Sequence, residues 1–131
     1  MKYVYPAVFE KEESGGYSIY FPDVQGCYTS AETLEEGMEM ANDALCLTLY
    51  HLEKDGKPMP AASDITSLDP GPDAFATLVP CDTFEYRKFY DSKSVKKTLS
   101  IPAWLNTMAE RQDINFSAVL QKALKEELKI A

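Results

Sequence analysis

The chain has 131 residues, 45% of them hydrophobic, and a formal net charge of −8, which leaves room for one modest domain and a small appended unit. No apolar run approaches membrane-spanning length and the first residues lack a leader-like apolar segment, so a cytoplasmic protein is expected. Cys27, Cys46 and Cys81 are widely spaced without a CxxC pair; they indicate neither a disulfide framework nor a zinc site, and read as small buried thiols in a reducing compartment.

In chain order, residues 3–10 read as a strand with Tyr3, Tyr5, Ala7 and Phe9 on one face. Glu12-Glu13-Ser14-Gly15-Gly16 is a hairpin turn. Tyr17, Ile19 and Phe21 alternate with Ser18 and Tyr20 in a second strand that Pro22-Asp23 ends. Residues 24–29 are expected to add a third strand to this antiparallel meander. Thr33-x-x-Glu36 is a capping box that opens a helix, with Glu35 and Glu36 favourably placed for its dipole. Leu34, Met38, Ala41, Leu45, Leu49 and Leu52 form its expected stripe, and Gly56 its stop. After loops at 59–63 and 69–73, residues 74–87 read as a fourth strand, where Pro80 signals an edge or a bulge. Residues 88–94 read as a polar linker.

Little here points to catalysis. The only histidine, His51, falls late in the helix, where a surface role is expected. No cysteine context marks an activated nucleophile. Gly15-Gly16 is a hairpin rather than a phosphate loop. Glu35, Glu36 and Glu39 form a solvated helix face. Asp23 fits a turn aspartate, with a functional carboxylate as the rarer alternative. Neither metal nor cofactor is expected.

The last third has a different pattern. Residues 95–101 alternate and Pro102 stops them; a helix over 103–112, a turn at Asp113-Ile114-Asn115 and a helix over 116–130 follow. This is the pattern of a ribbon–helix–helix unit. Alternation puts Val95, the Lys97 stem, Leu99 and Ile101 on one side, and Lys96, Thr98 and Ser100 on the other. The second set suits phosphates and base edges in a major groove, and Lys97 adds to its charge. Asn115 or Ser117 caps the second helix, whose N–H groups are available to a phosphate. Some forty residues cannot bury a core alone, so a dimer is expected, its core formed by Leu99, Ile101, Trp104, Leu105, Val119, Leu120 and Leu124.

Charge divides in the same place. Residues 1–90 carry six basic against sixteen acidic side chains, net −10; residues 91–131 carry seven against five, net +2. The acidic part should repel nucleic acid and attract a basic partner.

The segment Gly16-Tyr17-Ser18-Ile19-Tyr20-Phe21-Pro22-Asp23-Val24-Gln25-Gly26-Cys27, followed by Thr29, Thr33-Leu34-Glu35-Glu36 and Ala41…Ala44-Leu45, resembles the signature of HicB-type antitoxins. Lys97-Thr98-Leu99-Ser100-Ile101-Pro102-x-x-Leu105 and Asn115-Phe116-Ser117-x-x-Leu120-x-x-Ala123-Leu124 resemble the tail of the same family. The family pattern often has glycine where this chain has Ala31, and alanine where it has Gly37. The resemblance implies an α+β chain: residues 1–88 a partial RNase H-like domain of three to four antiparallel strands with a packed helix, 89–94 a linker, and 95–131 the ribbon–helix–helix dimerisation domain. It implies a non-enzymatic antitoxin whose partner is a small basic HicA-type toxin that cleaves RNA with a histidine, and a tail that represses its own operon. Asp23 is the expected toxin-facing carboxylate, beside Phe21 and Pro22, with Tyr20 and Tyr28 as aromatic anchors. Two other readings stand beside it: a ribbon–helix–helix regulator whose N-terminal domain senses a ligand, and a residual nuclease using Asp23 with Mg²⁺.

Overall fold

The computed structural model describes residues 1–130, which divide into two compact units, Met1–Lys93 and Ser94–Ala131. In the first, β1 (Lys2–Lys11), β2 (Tyr17–Tyr20), β3 (Tyr28–Ala31) and β4 (Ala74–Asp82) form one antiparallel sheet in the order β3-β2-β1-β4. Helix α1 (Leu34–Lys54) crosses one face, and α2 (Thr83–Tyr90) follows β4 and packs against α1.

Strand β1 holds the centre, paired on both sides, so its period of two sorts the whole sheet. Tyr5, Ala7 and Phe9 turn toward α1 and are buried with Ile19, Val79 and Cys81. Helix α1 starts where Thr33 Oγ1 accepts from the Glu36 N–H. It ends at Asp55-Gly56, where Gly56 has φ +68°. The buried stripe differs from the expected one: Leu34 and Met38 are exposed, and Gly37, Ala41, Leu45, Cys46 and Leu49 face the sheet. Gly37 explains the rotation. A Cβ there would lie 2.9 Å from the Phe9 ring and 3.3 Å from Ile19, so glycine lets the helix seat closely on the sheet.

Two expected strands are corrected. Residues 24–27 form a turn, with Phe21 and Cys27 joined by a backbone hydrogen bond and Gly26 at φ +76°, so β3 begins only at Tyr28. Strand β4 ends at Asp82, not at 87. The Asp82 carboxylate accepts from the Phe84 and Glu85 N–H groups and caps α2. The expected linker therefore loses residues 88–90 to that helix.

The second unit contains α3 (Ala103–Arg111) and α4 (Phe116–Glu127), joined through Asp113 at φ +55°. Helix α4 stops three residues before the expected end, where Lys129 at φ +58° turns the chain and Ile130 N–H reaches Lys125 O. Residues 91–102 carry no ladder in the single chain. None of the described residues of this unit is buried. No helix among the described residues is long and apolar enough to cross a membrane.

Candidate functional site

The sheet has one covered face and one open face. Opposite α1, the pairs Val8–Tyr20, Val8–Ala76, Pro6–Leu78, Val4–Pro80 and Tyr20–Tyr28 bring alternate residues of all four strands together. Pro6 and Val8, on the central strand, are buried. Tyr28 is 75% exposed, Val4 50%, Leu78 48% and Tyr20 37%. This is a contiguous apolar surface with two phenol groups, on a unit that carries net charge −10. Contiguous exposed apolar area of this kind marks interaction sites more often than scattered surface residues do.

The expected toxin-facing residues separate on this frame. Tyr20 and Tyr28 stand side by side on the open face and Pro22 is exposed. Phe21 belongs to the core, 3% exposed, because it shares the parity of Tyr17 and Ile19 and points inward. Asp23 has structural work: its carboxylate accepts from Ser63 N–H at 2.8 Å and from Ser63 Oγ at 2.5 Å. These two bonds tie the 21–27 turn to the loop after α1. Tyr5 adds a second tie, donating its hydroxyl to Pro60 O at 2.6 Å, and burial pushes that phenol up from its ordinary range. The contribution of Val4 and Leu78 to the open face is not evident from strand patterns taken singly. The available signal was that β1 is apolar at both parities, Tyr5, Ala7 and Phe9 on one and Val4, Pro6 and Val8 on the other.

In the second unit a groove of about 500 Å³ is lined by Lys97, Leu99, Ile101, Phe116, Val119 and Leu120. Lys97, Leu99 and Ile101 thus share one side of residues 95–101, as alternation requires, and Lys96, Thr98 and Ser100 do not line the groove. Leu99, Ile101, Trp104, Leu105, Val119 and Leu124 are each more than 40% exposed, and Leu120 is half-buried. Asn115 is the cap of α4: its side-chain oxygen accepts from Ala118 N–H at 3.0 Å, which leaves its NH₂ free to donate. Ser117 lies inside the first turn.

A family model for the HicB-like antitoxin of bacterial toxin–antitoxin systems matches residues 5–123. Antitoxin HicB 1 of Photorhabdus laumondii is 39% identical over 56 residues, 43% of this chain. Antitoxin HicB of Escherichia coli K12 is 34% identical over 65 residues, 50% of this chain. These matches take in 36% and 47% of the relatives' own lengths. Among solved structures, a chain of a toxin–antitoxin complex from Streptococcus pneumoniae superposes with a TM-score of 0.63 at 27% identity, covering 97% of this chain and 99% of that one.

Proposed function

The chain belongs to the HicB-like antitoxin family of bacterial toxin–antitoxin systems, and from that membership we propose that it neutralises a small basic RNA-cleaving toxin of the HicA type and represses its own operon. The family is one of antitoxins rather than enzymes. The observation that carries the antitoxin reading is the open sheet face of an acidic unit, with Tyr20 and Tyr28 exposed in the row of Val8, and Leu78 and Val4 exposed further along the same face. Rigid aromatics are good anchors, and the net charge of −10 competes with RNA for a basic surface. Asp23 acts at this site by holding the 21–27 turn, not as a free carboxylate aimed at the toxin. We read this unit, to residue 88, as a partial RNase H-like domain.

For the tail we propose a ribbon–helix–helix dimer over residues 95–131. Exposed apolar side chains along residues 95–101, α3 and α4 support it, because a second copy would cover them. Residues 95–101 then pair with their symmetry mate and gain the ladder that a single copy lacks. Lys96, Thr98 and Ser100 enter the major groove, and Lys97, Asn115 and Ser117 contact phosphate near the start of α4. Operator affinity should fall steeply with salt as phosphate counterions are released.

Co-expression with the neighbouring small reading frame tests the first proposal, by stoichiometric capture and by the partner's RNA cleavage with and without this chain. The Tyr20→Ala/Tyr28→Ala variant should bind roughly 10–100-fold more weakly. A folded double variant with unchanged affinity removes the open face as the docking site. If the wild-type chain captures nothing and leaves cleavage unaffected, the antitoxin reading fails.

A further inference from the structure

Cys46 and Cys81 are two of three free, buried cysteines, 5% and 3% exposed. They belong to different elements: Cys46 lies on the sheet-facing side of α1, and Cys81 lies near the end of β4, paired with Tyr3 of β1. One side chain fixes their juxtaposition. Asn42 Nδ2 donates to Pro80 O at 2.6 Å, and Asn42 Oδ1 accepts from the Cys46 thiol at 3.9 Å. Asn42 stands one helical turn before Cys46, on the same face, and Pro80 immediately precedes Cys81. The Asn42 amide therefore clamps α1 to β4 where each carries its thiol. A surface cavity of about 520 Å³, bordered by Tyr3, Val4, Asn42, Asp82 and Tyr86, reaches both cysteines and admits a small oxidant.

We infer that Cys46 and Cys81 form a reversible dithiol–disulfide couple, oxidised by hydrogen peroxide or a small hydroperoxide, that staples α1 to β4. Cys46 is the attacking sulfur. The Cys81 thiol beside it favours its thiolate and, helped by the Asp82 backbone N–H, shifts it down against the opposing effect of burial, whereas the same contact and burial together push Cys81 up. The Cys46 thiolate attacks one peroxide oxygen; the O–O bond breaks, hydroxide leaves, and Cys46 becomes a sulfenic acid. The Cys81 sulfur then attacks the Cys46 sulfur. The S–S bond forms, the S–O bond breaks, and the departing hydroxide takes the Cys81 proton as water. In total two thiols lose two electrons and two protons, and one peroxide becomes two waters. A thiol reductant reverses the couple, in keeping with a compartment that normally holds the pair reduced. Cys27 sits in the 21–27 turn and takes no part.

The test uses the full chain, reduced and then exposed to hydrogen peroxide under native conditions. The expected product is a single chain lighter by two hydrogens in denaturing mass analysis, with peptide mapping that links Cys46 to Cys81 and leaves Cys27 alkylatable after denaturation. Dithiothreitol should restore all three thiols. The oxidised form should melt roughly 10 °C or more above the reduced form, and Cys27→Ser should change none of this. Persistence of both thiols after peroxide, a sulfinic acid on Cys46 without a cross-link, or bridges that join Cys27 or separate chains would each overturn the couple.

Discussion

The two units use similar apolar residues to opposite ends. In Met1–Lys93 the apolar faces of β1, β2, β4 and α1 close on one another, and Phe9, Ile19, Leu45 and Leu49 are at most 1% exposed. In Ser94–Ala131 the apolar side chains are as regularly spaced, yet none among the described residues is buried. The difference is one of layers. A sheet with a 21-residue helix across it makes two layers from a single chain. Two helices of 9 and 12 residues and an unpaired extended segment do not. Stability in the first unit is therefore a property of the chain, and in the second a property of its concentration.

Phe9→Ala should reveal this most strongly. The ring is fully buried, stacked on Phe75 at 5.1 Å and edge-on to Tyr17 at 6.0 Å. Its loss should cost about 3–5 kcal/mol, read as a lower urea midpoint that is independent of protein concentration. A loss below about 1 kcal/mol would mean that the core is not organised around β1.

Val119→Asp should act on the other unit alone. Val119 lines the groove and is 55% exposed in the single chain, so the change costs little there. In the proposed dimer it buries a charge. Self-association should weaken by about 100-fold, or about 3 kcal/mol, in sedimentation at graded concentration, with the first unit's urea midpoint unmoved. Unchanged association would place the dimer contact elsewhere.

How much of this was legible in the sequence depended on whether a signal was local. The α1 cap at Thr33 and its stop at Gly56 are local hydrogen-bonding and φ requirements, and residue type alone discloses them. The Asp113 turn is of the same kind, whereas residue type leaves Asn115 and Ser117 both open as the α4 cap and the structure selects Asn115. The alternation of 95–101 was also readable, and the groove lined by Lys97, Leu99 and Ile101 follows it. What escaped was set by distant partners. Residues 83–87 continue the expected strand and 88–90 the expected linker, but Asp82 caps 83–90 as a helix and the Tyr86 ring packs at a tilt against Tyr50 at 5.5 Å. The Asp23–Ser63 bonds span forty residues and turned an apparently free carboxylate into a loop tie. Phe21 is different, because strand parity alone places it inside with Ile19.

Gly37→Ala tests the close seating of α1 at a smaller scale. Alanine favours the helix by about 1 kcal/mol, but its Cβ would press on the Phe9 ring at 2.9 Å and on Ile19 at 3.3 Å. Neither neighbour has room, since both are almost fully buried, so overpacking should win. The net loss should be about 1 kcal/mol in a thermal melt. A gain in stability would mean that Phe9 can shift, and that the core of the first unit is looser than its burial implies.

The smallest effect separates the units by pH. The Tyr3 hydroxyl donates to Glu53 Oε2 at 2.8 Å, while Glu53 Oε1 faces Arg87 at 3.3 Å. Burial, and next the hydrogen bond to Glu53, push the Tyr3 phenol up from 10.0 to about 12. The folded state thus holds this proton more tightly than the unfolded state. Its contribution is complete below pH 10 and is lost as the pH rises to about 12. Tyr3→Phe should cost about 1 kcal/mol at neutral pH through the lost hydrogen bond, with Glu53 still paired to Arg87. The gap between wild type and variant should then close across that alkaline window, because phenylalanine has no proton to lose. Tyr5 and Tyr86 are also shifted upward by burial but remain in both proteins, so the difference isolates Tyr3. The second unit contains no tyrosine, and dimerisation should show no difference between the two proteins over the same range. A constant gap would mean that Tyr3 ionises as freely in the folded chain as in the unfolded one.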